Sequence, residues 1–322
     1  MTSPFAPSAS IPGHGHISVC LLPPPTPHLT TLSYTYPLKL ISPSHPNQKA
    51  ILVFILSYGG GLVSGDTITL SADILTNARL ALVTQGSTKI FKARSPDVVS
   101  TQALSVRVEA GAALCLLPDP VQPFAGSVYE QRQVFRIDVA SASLLVLDWV
   151  SEGRTARGER WEFESWKGRN EVWSLEEPAR LLLRDNVILG GAGQSSLHQF
   201  NNETLESRMD GLSVFGTLIV RGPLFASLSD FLLQEFSALP RIGSGGQSWN
   251  SEASPAAIDP KRAPRLAREQ SDGILWTAAA LRGFVVVKLG ARSVEGARNW
   301  LRDMVGETVE RDFGEGGLLC LR

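Results

Sequence analysis

Apolar and polar residues alternate along much of the chain with the period of two that is typical of β-strands. Between residues 67 and 75, apolar side chains face one way while hydroxyl and acidic side chains face the other. The same period recurs at 104–108, 135–139 and 161–163. Continuous apolar runs predict strands that are buried on both faces, and they lie at 51–56, 144–150, 181–183, 214–220 and 284–287. The pattern therefore predicts a mainly β protein.

Two segments in the C-terminal part follow a helical spacing instead. Segment 224–239 places leucine and phenylalanine on one stripe directly after Pro223. Segment 294–309 places valine, alanine, tryptophan, leucine and methionine on one stripe, and Ser293 stands where an N-cap is needed. We expect both to be α-helices that pack against the core.

A short similarity repeats three times within the β-rich part. Its copies begin at Ala78, Ala112 and Ala142, and each follows an alternating strand and a turn of small residues. Such spacing is typical of stacked β-layers, although chance similarity among apolar strands explains it equally well. The expected architecture is mainly β and two-layered, with solenoid-like stacked β-sheets and about two α-helices in the C-terminal part.

We expect one domain with a tail and an insertion. Residues 1–15 are rich in proline and serine and are predicted to be disordered. Residues 16–240 form the β-rich core, and residues 241–272, rich in glycine, serine and proline, form a flexible insertion. Residues 273–322 are too few for a separate domain, so their strands and helix complete the same one.

The composition of the 322-residue chain argues against several classes of function. Thirty Lys and Arg against thirty-one Asp and Glu provide no basic excess for binding nucleic acid. No apolar run reaches the roughly 18 residues that span a membrane, and no signal peptide is evident. The three cysteines are far apart, which favours a reducing compartment. We expect a cytoplasmic protein that binds neither nucleic acid nor membrane.

Three polar segments are candidates for chemistry. The first is a glycine-rich turn at 58–66 that ends in Asp66; it matches neither a P-loop nor a nucleophile elbow, and a glycine turn capped by its own acid is the simpler interpretation. The second, at 83–91, places hydroxyl and amide side chains directly after a buried strand, where they are costly to bury. The third, at 148–159, combines three acids with two arginines, and a solvated hairpin with salt bridges is the alternative there.

Histidine gives little support for an enzyme, since four of the five histidines lie within the first fifty residues. His14, His16 and Cys20 are weak candidates for a site that binds a borderline divalent ion, because imidazole and thiolate suit nickel and zinc. No firm metal site is expected.

Together, these segments resemble the UreD (also called UreH) family of urease accessory proteins. The motifs that carry the resemblance are GGLVSGD at 60–66, TQGSTKIF at 84–91, LPDPVQPF at 117–124 and GRTARGE at 153–159. Their order and spacing match together, and the resemblance covers residues 32–236 and 273–309. Asp185 also resembles the acid that follows the next strand in the family, whereas Phe91 replaces the commoner tyrosine.

The resemblance implies a maturation factor that is not an enzyme. The family acts with a helical protein, UreF, and a GTPase, UreG, to load nickel into the urease apoprotein, and it is thought to offer an internal polar path. It therefore implies transient Ni²⁺ and no tightly bound cofactor. The predicted lining residues of that path are Asp66, Thr84, Gln85, Asp148, Glu152, Glu159 and Asp185. The predicted orienting or structural residues are Arg154, Arg157, Lys89, Gly60, Gly61 and Gly65.

Two other functions stay open from the sequence. A β-rich hydrolase or isomerase could use Asp66 or Glu159 as its acid or base. A scaffold could bind urease without touching nickel.

Overall fold

A computed structural model of the chain describes residues 11–23, 25–43, 48–190, 204–239 and 262–322. The strands in these ranges are β1 (His14–Leu22), β2 (Thr26–Tyr34), β3 (Leu38–Ile41), β4 (Ile51–Ser57), β5 (Gly61–Leu62), β6 (Thr67–Ile74), β7 (Arg79–Val83), β8 (Lys89–Ile90), β9 (Ser100–Val108), β10 (Ala113–Leu116), β11 (Gln122–Pro123), β12 (Val128–Ile137), β13 (Ser143–Ser151), β14 (Ser165–Ser174), β15 (Leu181–Gly190), β16 (Val214–Arg221), β17 (Leu275–Leu281) and β18 (Phe284–Ala291). The α-helices are α1 (Leu205–Met209), α2 (Ala226–Ser237), α3 (Arg262–Ser271) and α4 (Val294–Phe313).

Two large sheets form the body of the molecule. Sheet A has the order β15-β14-β12-β9-β6-β1-β2, and sheet B has the order β17-β18-β16-β13-β10-β7-β4-β3. One apolar core contains the inward-facing residues of both sheets, and a second contains residues of sheet B, α2 and α4. Sheet B is thus covered on both faces, which is why every residue of β13 is buried. The prediction of a mainly β, two-layered fold is confirmed.

The three-fold sequence repeat corresponds to neighbouring strands. In sheet B, β7, β10 and β13 are parallel neighbours, with Leu80, Leu114 and Leu144 aligned in register. The alternating strands that precede them, β6, β9 and β12, are parallel neighbours in sheet A. The repeat therefore marks three strand pairs stacked side by side. The further description as solenoid-like stays a prediction.

The two predicted helices are confirmed as α2 and α4. Ser293 caps α4 by accepting a hydrogen bond from the Gly296 amide at 3.0 Å, and Trp300, Leu301 and Met304 are buried on its apolar stripe. Helices α1 and α3 have no such stripe of apolar residues, and the sequence pattern did not indicate them. In the described ranges, no helix combines the length and apolarity needed to cross a membrane.

Two boundaries need correction. Strand β1 begins at His14, so residues 14 and 15 belong to sheet A and not to a disordered tail; they pair with β2 and β6. Helix α3 lies within the predicted flexible insertion, and that prediction is wrong for residues 262–271. The buried face of α3 carries Arg265 and Glu269, so apolar periodicity cannot reveal it. Residues 1–10 and 241–261 lie outside the described ranges.

Candidate functional site

A row of polar side chains crosses the apolar space between the two sheets, and we call this row the polar seam. Its members are Gln102, Gln131, Gln133, Asn170 and Asp185 of sheet A, Asp148, Thr217 and Lys288 of sheet B, and Thr84 and Asp119 in the turns that follow β7 and β10. Strand register aligns the row. Gln133, Asn170 and Asp185 are aligned across β12, β14 and β15. In the same way, Asp148, Thr217 and Lys288 are aligned across β13, β16 and β18.

Asp148 lies in the middle of the seam and is only 6% exposed. Its two carboxylate oxygens accept hydrogen bonds from the Gln131 amide nitrogen at 2.9 Å and the Asn170 amide nitrogen at 2.7 Å. Burial raises the pKa of Asp148, the two amide hydrogen bonds oppose that rise, and the nearby Asp185 charge adds to it. Asp148 is therefore a buried acid held by neutral groups and not by a direct ion pair.

A small, partly open cavity lies beside Asp148, between the two sheets. Its volume is about 40 Å³, which is room for roughly three water molecules. Its polar walls are Thr84, Thr88, Gln102, Asp119, Gln131, Gln133 and Asp148. Water in such a cavity finds several polar partners, so we expect the seam to be hydrated there.

Each end of the seam carries a carboxylate paired with a basic side chain. At one end, Lys288 Nζ lies 2.6 Å from Asp185 Oδ1 and 2.7 Å from Thr217 Oγ1. At the other end, Asp119 accepts hydrogen bonds from Thr84 Oγ1 at 3.0 Å, from the Gly86 amide at 2.8 Å and from Arg298 Nη2 at 2.5 Å. The side chains of Lys288 and Arg298 are 33% and 22% exposed. The seam thus reaches from one partly exposed ion pair to another.

Of the predicted lining residues, the structure brings Thr84, Asp148 and Asp185 into the seam. Asp66 instead caps its own turn, where Oδ2 accepts a hydrogen bond from the Val63 amide at 3.0 Å. Gln85 is exposed, although it follows directly on Thr84. Asp66 and Gln85 do not line the cavity beside Asp148.

Glu152 and Glu159 are buried but form separate ion pairs. Arg160 Nε lies 2.9 Å from Glu152 Oε2. Arg154 Nε lies 2.9 Å from Glu159 Oε1, and the Arg154 guanidinium also stacks on the Phe124 ring. Stacking of Arg154 on Phe124 joins the GRTARGE turn to the LPDPVQPF segment, and neither glutamate lines the cavity of the seam.

Of the two arginines that were predicted to orient these acids, Arg154 pairs with Glu159. Arg157 is exposed, and no ion pair is formed by it within the described ranges. Arg160, which the sequence reasoning missed, pairs with Glu152 in its place. Lys89 is also exposed, on the short strand β8.

The hydrogen bond from Arg154 holds the pKa of Glu159 below its usual value of 4.5. A carboxylate held in its charged form is poorly suited to donate a proton, which weighs against Glu159 as the acid of a hydrolase. Because the folded-state pKa is lowered, the stabilisation from Glu159 is complete above the unfolded pKa and is lost as pH falls through the folded one. We expect Glu159→Gln to be less stable than the wild type at neutral pH, and the difference to shrink as pH falls below 4.5. Urea unfolding across this range measures it, and a difference that grows on acidification would contradict the lowered pKa.

The glycine-rich turn needs its glycines for different reasons. Gly61 pairs with Lys89, and a Cβ there would lie 2.2 Å from the Lys89 carbonyl oxygen. Gly60 and Gly65 have positive φ angles of +74° and +87°, and nothing lies within 4 Å of a Cβ built at Gly60. The family motif therefore shapes a close backbone contact and a left-handed turn.

Alanine substitutions separate these two reasons. Gly61→Ala is expected to lower the free energy of unfolding by about 3 kcal/mol, since the backbone must move to admit the methyl group. Gly60→Ala is expected to lower the free energy of unfolding by about 1 kcal/mol. Alanine disfavours the left-handed conformation, but its methyl group meets no neighbouring atom there. Urea unfolding of both variants measures the difference. Equal losses would show that the contact with Lys89 is not tight.

The weak metal candidates His14, His16 and Cys20 lie on the outer face of β1. His16 Nδ1 is 2.9 Å from Ser71 Oγ, and His16 Nε2 is 3.7 Å from Asp73 Oδ2. In the part of the chain that the structure describes, no group of three or more His, Cys, Asp or Glu side chains is arranged to hold a metal ion. The structure therefore does not support a site at these residues.

Most residues of the seam were not predicted from the sequence, although the sequence contains a feature that marks some of them. The missed residues are Gln102, Asp119, Gln131, Gln133, Asn170, Thr217 and Lys288. Gln131 and Gln133 occupy the inward positions of β12, whose next inward residues are Phe135 and Ile137. Lys288 similarly interrupts the apolar run of β18. A polar residue at an apolar position of an alternating strand is the feature that could have revealed the seam.

Comparisons with known proteins agree on one family. The sequence model described as UreD urease accessory protein matches residues 15–316, a range that includes the whole seam. The chain is 33% identical over 279 residues to an uncharacterized urease accessory protein ureD-like of Schizosaccharomyces pombe, covering 85% of this chain and 87% of that protein. It is 37% identical over 270 residues to urease accessory protein UreD of Sorangium cellulosum, covering 83% and 71%. Urease accessory protein D of Oryza sativa subsp. indica is 31% identical over 276 residues, covering 83% of each chain.

Proposed function

Because the chain belongs to the UreD family of urease accessory proteins, we propose that it assists the insertion of nickel into the urease apoprotein. In this proposal it is a cytoplasmic maturation factor without catalytic chemistry of its own. It binds urease together with a helical accessory protein of the UreF type, through which a GTPase of the UreG type supplies the ion. Nickel is its cargo and not a resident cofactor.

The observation that carries the nickel proposal is the polar seam. Burying polar and charged groups between two apolar sheets costs free energy unless they are paired or hydrated. Even a hydrogen-bonded cluster such as Asp148, Gln131 and Asn170 is often no more stabilising than packed apolar side chains, so its presence calls for a reason beyond stability. Passage of a hydrated cation between the sheets provides that reason.

The ligand chemistry of the seam also suits passage better than storage. Its groups are carboxylate, carboxamide and hydroxyl oxygens, which hold Ni²⁺ more weakly than imidazole and thiolate do. The ion pairs Asp185–Lys288 and Asp119–Arg298 mark its two ends, where an ion would enter and leave. Weak ligands along the route and exposed groups at both ends favour release of the ion to the next protein.

Assembly is the first property to test. The tagged full-length chain, co-expressed with urease apoprotein and the helical partner, is expected to elute with both in one size-exclusion peak. Asp148→Asn serves as a matched variant. The substituted side chain is buried inside the protein, so the variant should bind urease and the helical partner as the wild type does. Failure of the wild-type chain to bind urease under these conditions would contradict the proposal.

A scaffold that never contacts nickel would also assemble, so nickel content must be measured separately. The hydrolase or isomerase alternative gains no support from the site, since Asp66 and Glu159 lie in separate turns and neither lines the cavity beside Asp148.

A further inference from the structure

Three buried oxygen atoms of the seam accept no hydrogen bond among the described residues. They are Gln133 Oε1, Asn170 Oδ1 and Asp185 Oδ2. Gln133 and Asn170 are 6% and 1% exposed, and of these two only Gln133 lines the cavity in which water is expected. Leaving a buried acceptor without a donor costs about 1–3 kcal/mol, and three in one place need an explanation.

The three acceptors belong to one row of sheet A. Gln133 pairs with Asn170 across β12 and β14, and Asn170 pairs with Asp185 across β14 and β15. Directly paired residues have their Cβ atoms about 5 Å apart on the same face. The amide nitrogen of Asn170 is bound to Asp148 Oδ2 at 2.7 Å, so its own oxygen remains available to the row. The row therefore contains three oxygen atoms that receive no hydrogen bond from the described residues.

We infer that Gln133, Asn170 and Asp185 form a cation station, where a partly hydrated divalent ion pauses on two carboxamide oxygens and one carboxylate oxygen. This inference rests on the proposed function, and it names where in the seam the nickel ion is held. Lone pairs without donors attract a cation, and oxygen ligands with retained water bind and release it readily. The ligand set carries a single negative charge, which keeps the station weak.

Lys288 weakens the station further. Its ammonium lies 2.6 Å from Asp185 Oδ1, the oxygen that the station does not use, and 2.7 Å from Thr217 Oγ1. A positive charge at this distance repels an arriving cation and competes with it for Asp185. When no metal is present, Lys288 neutralises the carboxylate, and an arriving ion must overcome that pairing. Lys288 is therefore a positioning residue that limits how long the ion stays.

Equilibrium dialysis of the purified full-length chain against Ni²⁺ alone tests the station. Gln133→Leu removes one ligand while leaving both hydrogen bonds of Asp148 in place, and it is expected to weaken Ni²⁺ binding about tenfold. Lys288→Met is expected to tighten binding by a similar factor of about ten. The matched control is Gln85→Leu, which removes a carboxamide that is exposed and lies outside the seam. It should leave binding unchanged.

The stability of each variant shows whether weaker Ni²⁺ binding results from the loss of a ligand or from a disrupted fold. Replacing an acceptor that has no donor by an apolar group is expected to leave Gln133→Leu as stable as the wild type, or more so. Histidines on the surface are the same in every variant, so their nickel binding cancels in the comparison. A folded Gln133→Leu that binds Ni²⁺ like the wild type, or an affinity unchanged in Lys288→Met, would overturn the station.

The two proposals fail in different ways. If Gln133→Leu weakens Ni²⁺ binding but the wild-type chain never raises the nickel content of co-expressed urease, the station stands and the proposed function fails. If the chain loads urease normally while Gln133→Leu binds Ni²⁺ like the wild type, the station alone is wrong.

Discussion

Urease produced together with an Asp148→Asn/Asp185→Asn double variant of this chain is expected to contain about a tenth or less of the nickel it acquires with the wild-type chain. The double substitution keeps the shape of both side chains but removes both carboxylate charges from the middle and one end of the seam. Each single substitution should have a smaller effect, because a hydrated route tolerates the loss of one weak ligand. Metal analysis of purified urease gives the result.

The matched control for this experiment is Asp66→Asn. Asp66 belongs to a family motif but caps an isolated turn, so its substitution should leave the nickel content of urease unchanged. Size exclusion of the double variant with urease and the helical partner verifies that the complex still forms. Normal nickel loading by a correctly assembled double variant would show that Asp148 and Asp185 are structural groups and not part of a route.

Glu269→Ala is expected to cause a large loss of stability, about 3 kcal/mol of unfolding free energy. Glu269 is buried, and it accepts hydrogen bonds from the indole nitrogens of Trp300 at 2.9 Å and Trp276 at 3.4 Å. It also lies 3.5 Å from the buried guanidinium of Arg265. The alanine variant leaves both indole donors without this acceptor and removes one of the contacts that attach α3 to the core. Urea unfolding measures the loss.

Arg268→Ala is the matched control for Glu269→Ala. Arg268 lies on the same helix and pairs with Asp303 of α4, but its side chain is 52% exposed. An exposed pair contributes about 0–1 kcal/mol, so this variant should stay close to the wild type. Similar small losses in both variants would indicate that α3 is loosely attached, as the sequence pattern had predicted for this segment.

The parts of the fold that follow from periodicity were predictable from the sequence. The alternation in β6 and the stripe of α4 each bury one face of an element, so the pattern of residues records the packing directly. The repeat that begins at Ala78 likewise corresponds to strands stacked in register. Helix α3 does not follow this rule, because buried ion pairs and indole hydrogen bonds attach it to the core in place of an apolar stripe.

The site was predictable only in part. Most residues of the seam lie outside the family motifs, and most motif residues lie outside the seam. Motif residues such as Gly61, Arg154 and Glu159 shape turns through backbone contacts and ion pairs. The seam is assembled from single inward positions on distant strands, such as Gln133 and Lys288, and only the sheet register brings these together. The spacing of these residues along the chain does not show which strands are neighbours or how they are aligned.

Transfer of nickel in the presence of a chelator tests the central claim most directly. A complex of this chain, the helical partner and the nickel-loaded GTPase is mixed with urease apoprotein in an excess of a chelator that is too large to enter the seam. An internal route predicts that urease still acquires nickel and activity, and that the Asp148→Asn/Asp185→Asn variant abolishes this protected transfer. Complete interception of the nickel by the chelator, with the wild-type complex intact, would contradict passage through the protein.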